Sequence, residues 1–85
     1  LREADVLFLC ESLWRRTRES SNWADAHLRN EVLWLADCAE RWLEPGTALQ
    51  YGLLMVRSLA LVHRPLEALA RLHWTMTQLQ SAGLK

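Results

Sequence analysis

Eighty-five residues make one domain, and a chain this short has no room for a deep pocket of the usual enzyme size. The formal net charge is zero, so no global field draws nucleic acid or an anionic membrane. Hydrophobic residues make up 51%, with only three Gly and two Pro, and Leu and Ala far outnumber Val and Ile; this excludes a turn-rich β fold and favours helix.

The first predicted helix covers residues 2–18. Val6, Leu9, Cys10, Leu13 and Trp14 recur at helical spacing, with Glu11 and Arg15 paired one turn apart on the wet face. The run Glu19-Ser20-Ser21-Asn22 breaks it, and Ser21 or Asn22 is placed to cap the second helix. That helix runs from Trp23 to Leu43 on a stripe of Leu28, Val32, Leu35, Ala39 and Leu43. Pro45-Gly46 stops it.

Thr47 is the expected cap of the third helix, residues 48–62. Its shared face is Ala48, Gly52, Met55, Leu59 and Val62, with Gly52 in the interior to allow a close helix–helix approach. His63-Arg64-Pro65 then forms a turn. The fourth helix starts at Pro65 and ends near Ser81 before Gly83, on a stripe of Leu69, Leu72, Met76 and Leu79. Short connections make neighbours antiparallel. The expectation is an all-α single domain over 1–85, four antiparallel helices arranged as two helical hairpins joined at Pro45-Gly46.

The informative residues lie off these stripes. At about 100° per residue, Phe8 falls among Glu11, Ser12 and Arg15. Leu33 and Trp34 fall among Asn30, Asp37 and Arg41, Leu54 and Leu61 flank Arg57, and Trp74 falls with Glu67 and Arg71. One exposed Leu means nothing, but large apolar groups on the polar face of every helix do. Three explanations compete: irregular packing that buries a helix on two sides, association with another protein or with a second copy, or membership of a larger helical solenoid. Nine of the ten basic residues are Arg and there are five Trp, both enriched at interfaces.

Charge is uneven along the chain. Residues 1–44 hold nine acids against six bases, about −3, and the rest holds one acid against four bases, about +3. The halves attract each other when packed, or one of them meets a charged partner.

The segment Leu53 to Thr77 resembles a tetratricopeptide helix–turn–helix. Ala68 and Leu72 match the family's small and large positions on the second helix, and His63-Arg64-Pro65-Leu66-Glu67 is similar to its turn and second-helix start. Val56 stands where the family carries Gly or Ala, and Asn22-Trp23-Ala24-Asp25-Ala26 resembles a second such turn. The resemblance implies a peptide- or helix-binding role, as in small tetratricopeptide adaptors and chaperones, including those of type III secretion.

Chemistry is sparse. His27, His63 and His73 form no metal-binding pair, and Cys10 and Cys38 have no close partner, so the thiols are expected free and buried in a reducing, intracellular and cytoplasmic setting. Ser21, Asp25 and His27 are explained by capping, and Asp37, Glu40 and Glu44 surround Arg41 as a salt-bridged face. Residues 51–62 are apolar but too short to span a bilayer, and Arg57 interrupts them.

The expectation is therefore a binding module with no enzymatic activity, cofactor or metal, which buries an apolar helix of a partner protein. Its contact residues are Phe8, Leu33, Trp34, Leu54, Arg57, Leu61 and Trp74, with the aromatics as anchors and Arg57 orienting the partner. Self-association is the leading alternative. Nucleic-acid binding through Arg15-Arg16-Arg18 is the other, though Glu11 and Glu19 flank that cluster; no nucleic acid and no membrane insertion are expected.

Overall fold

The computed structural model describes residues 3–20 and 24–83. These residues form five helices and no strand: α1 (Glu3–Glu19), α2 (Asp25–Trp42), α3 (Pro45–Gln50), α4 (Leu53–Leu61) and α5 (Pro65–Ser81). The caps expected at Ser21 or Asn22, and the helix start at Trp23, lie outside the described residues.

Three helices follow their sequence stripes. In α1, Val6, Cys10 and Leu13 are buried; in α2, Leu28, Val32, Leu35 and Ala39 are joined inside by Ala36 and Cys38. α5 is central. It packs against α1, α2 and α4, and it buries Pro65, Ala68, Leu69, Leu72, Thr75, Met76 and Leu79. Short-range neighbours α1 and α2 also touch, and α2 reaches across to α4. Leu69, Leu72, Met76 and Leu79 are essentially inaccessible, and burying such a side chain is worth about 1.5–3 kcal/mol.

The expected third helix is two helices. α2 ends at Trp42 with Leu43 extended, and Pro45 starts α3 at its first position instead of only stopping α2. Glu44 is the N-cap residue, so Thr47 lies inside the first turn and does not cap. α3 lasts six residues. Tyr51 then leaves the helix and Gly52 takes φ +80, a left-handed conformation that glycine adopts without strain. Gly52 is thus a break and not an interior residue. What approaches it closely is a side chain: a Cβ at position 52 would stand 2.7 Å from Nη2 of Arg71.

The break resets the helical phase. Ala48 is buried before it, but Leu53, Val56 and Ala60 are buried after it, while Met55 and Val62 are exposed and Leu59 is half-buried. The break also leaves the Tyr51 carbonyl without a helical donor. The Thr75 hydroxyl, fully buried on α5, donates to that carbonyl over 2.8 Å. At the other end of α4, His63 takes φ +63, and the Arg64 N–H donates to the Leu59 carbonyl over 2.9 Å. That six-to-one bond is the Schellman stop, made here with a histidine where glycine is usual.

Two substitutions test the break. Gly52→Ala meets both the left-handed backbone and the Arg71 guanidinium, and is expected to lower the unfolding free energy by about 1–3 kcal/mol in urea melts. Thr75→Val strands the Tyr51 carbonyl and is expected to cost about 1–3 kcal/mol, whereas Thr75→Ser keeps the bond and most of the stability.

Candidate interaction surface

α2 and α4 are joined by one polar cluster. Arg57 on α4 lies between Asp37 and Glu40 on α2. Its Nε donates to Glu40 Oε1 over 3.0 Å and its Nη2 donates to Glu40 Oε2 over 2.7 Å, a two-pronged contact. Nη2 also donates to Asp37 Oδ1. The hydrogen bonds to Glu40, then those to Asp37, hold the guanidinium pKa above its ordinary value, so Arg57 stays charged at every working pH. The Arg57 side chain is 27% exposed, and water screens the cluster accordingly.

Arg57, expected to orient a partner, makes these contacts within the chain and keeps part of its side chain exposed. The acids on α2 were expected to pair around Arg41, but the cation between Asp37 and Glu40 comes from α4.

The remaining expected contact residues fall on separate surfaces. Leu54 and Leu61 are exposed on α4, and Trp34 is exposed on α2 beside Asp37. Leu33 is half-buried and packs against the core, in line with Asp37 and Glu40. These residues and Arg57 belong to the α2–α4 side. Phe8, 67% exposed, stands apart on α1, and Trp74 stands on α5. Trp74 as a residue is 43% exposed, yet the Arg71 guanidinium lies 4.2 Å from its ring centroid and takes up one face.

Among the described residues, the large apolar side chains exposed outside that set are Leu49, Met55, Val62 and Leu66. A groove of about 320 Å³ opens where α2, α3 and α4 meet, lined by Leu43, Pro45, Ala48, Leu49 and Leu54 with Glu40 at its rim. The Pro45-Gly46 signal marked the connection but gave no hint that it would form a short helix walling a groove. Met55 and Val62 were assigned inward because the periodicity was carried straight through Gly52.

A second groove lies between α1 and α5, lined by Glu11, Trp14, Arg15, Arg18, Glu19 and His73. Trp14 and His73 stack with ring centroids 5.1 Å apart and planes 9° from parallel, and the Arg18 guanidinium lies 5.6 Å from the Trp14 centroid. Two members of the Arg15-Arg16-Arg18 cluster therefore share their groove with two carboxylates. Among the described residues, no three His, Cys, Asp or Glu side chains are placed to hold a metal ion, and no helix is long and apolar enough to cross a membrane.

Cys10 and Cys38 are free and buried. Burial, helped by the nearby Glu11 charge, pushes the Cys10 thiol up to about 12. The thiolate is the reactive form, so Cys10 is almost wholly unreactive near neutral pH. Iodoacetamide at pH 8 is expected to leave Cys10 unmodified in the folded chain and to alkylate it readily in denaturant, with mass spectrometry of the peptides as the readout.

The chain matches no protein-family model, no curated protein and no solved structure. None of these comparisons identifies a tetratricopeptide-like relative.

Proposed function

We propose that the chain is a protein–protein interaction module, adaptor- or chaperone-like and without enzymatic activity, that uses the outward side of α4 to bury an apolar helix of a partner. The observation that carries this reading is the composition of α4, Leu-Leu-Met-Val-Arg-Ser-Leu-Ala-Leu. Leu53, Val56 and Ala60 face the core, while the bulkier Leu54, Met55 and Leu61 face outward. A helix with large apolar side chains on two opposite sides belongs in an interior. Among the described residues, one of those sides of α4 is covered and the other is exposed.

The groove beside Leu54 supports the same reading. It offers Leu43, Pro45, Ala48 and Leu49 to an inserted side chain, in the manner of helix-in-groove recognition. α3 makes one wall, and the Arg57 cluster holds α2 and α4 together at the Glu40 rim. We also read the architecture as two helical hairpins, α1–α2 and α4–α5, with α3 as the joint. In the second hairpin Ala68 and Leu72, which carry the tetratricopeptide resemblance, are buried, and so is Val56, which departs from it.

The test is binding of an apolar fluorescent dye to the intact chain and to Leu54→Glu and Leu61→Glu. Both residues are exposed, so helical content by circular dichroism is expected to stay unchanged while dye fluorescence falls several-fold. Equal dye binding by both variants and the parent would overturn the assignment of this surface.

A further inference from the structure

The outward face of α4 has a symmetry that selects its occupant. Its exposed positions are Leu54, Met55, Ser58, Leu61 and Val62, the last just past the final turn. Taken from Ser58, they lie four and three residues before and three and four residues after. The strip is a palindrome of large apolar side chains about one small residue. At about 100° per residue it spans about 120° of the helix surface, opposite the buried line of Leu53, Val56 and Ala60.

Charge points the same way. Arg57 is the single charged residue of α4, and Asp37 and Glu40 of the same chain hold it. Beyond the far end, Arg64 and Glu67 pair with each other at 3.6 Å. An acidic or basic partner helix finds no free countercharge on this strip, whereas a second α4 finds a neutral apolar match. The outward faces of α1, α2 and α5 carry charges such as Arg15, Arg41 and Glu67, and offer no comparable surface.

We infer that the α4 strip is the interface between two copies of this chain, packed antiparallel about a twofold axis that passes Ser58. A twofold contact uses the same patch on both subunits, so the patch must complement itself. Reversing α4 about Ser58 brings Leu54 of one copy against Val62 of the other, and Met55 against Leu61. The small Ser58 meets itself at the centre and lets the helices approach closely. Leu49, which lines the groove with Leu54, extends the apolar contact at each end.

The contact is modest in size. A standard interface takes about 800 Å² from each partner, roughly a seventh of this chain's 5386 Å² surface. The nine residues of α4 span about 13 Å at the helical rise. The expected assembly is a reversible dimer with an affinity in the micromolar range, little weakened by sodium chloride and strengthened by sulfate.

This inference rests on the reading of α4 as an interface, and the experiment separates the two. Sedimentation of the full chain over a concentration series is expected to show the mass rising from one copy towards two. Ser58→Arg sets two like charges against each other on the axis and is expected to hold the chain monomeric with its helical content intact, while Phe8→Glu still dimerises. Ser58→Cys in oxidised glutathione is expected to give a disulfide-linked dimer, because residues at an axis meet within disulfide reach. Ser81→Cys, exposed on α5, is expected not to, and the buried Cys10 and Cys38 do not compete.

A dimer that survives Ser58→Arg, or equal cross-linking through both introduced thiols, overturns the inference. A chain that is monomeric at every concentration, yet binds dye through Leu54 and Leu61, also overturns it but leaves the interaction module standing. A monomer that binds no dye removes both.

Discussion

The Thr75 hydroxyl bonded to the Tyr51 carbonyl is the contact on which the geometry of this molecule turns. A helix running unbroken from α3 into α4 would satisfy that carbonyl within itself. The chain instead interrupts its backbone at Gly52 and supplies the missing donor from the buried side of α5. The bond thus ties the break to the central helix. It also fixes the rotation of everything that follows, because α4 restarts with Leu53 turned inward. The outward apolar strip of α4 is a direct result of that restart.

The Arg57 cluster holds a second coordinate, the distance between α2 and α4. A guanidinium with two prongs on Glu40 and a third contact to Asp37 is directional where apolar packing is not. Partly exposed to water, it adds little net stability. Its effect is positional: it keeps Leu43 and Leu54 on opposite walls of one groove. It also draws Arg57, the single charged residue of α4, towards the carboxylates of α2, so that an apolar strip is left where the sequence shows an interrupted one.

Much of the fold was legible in the sequence because α1, α2 and α5 are amphipathic helices of ordinary length with one buried side. Val6, Cys10 and Leu13, or Leu69, Leu72, Met76 and Leu79, carry enough periodic signal to fix the inward face. The third predicted helix failed for a local reason. Gly52 sits within an apolar run, and a helical glycine and a left-handed glycine look alike in sequence; only the buried Thr75 and the Arg71 guanidinium, 20 or so residues later, distinguish them. The same limit applies to Arg57. Periodicity shows which side of a helix is wet, and it does not show which other helix supplies the countercharge. Trp34, Leu54 and Leu61 were found as apolar residues among polar neighbours, whereas Leu49 and Met55 had no such contrast to mark them.

Position 52 is under two constraints of different kind. The backbone there needs a residue at ease with φ +80, and the space beside it is already filled by the guanidinium that covers Trp74. Shortening Arg71 would lift the second constraint and leave the first. The guanidinium ends a flexible side chain and can swing aside, so the backbone is the firmer of the two constraints. Asparagine, which tolerates the left-handed region, is then the replacement that position 52 accepts at least cost, while a β-branched residue stays excluded whatever stands at 71.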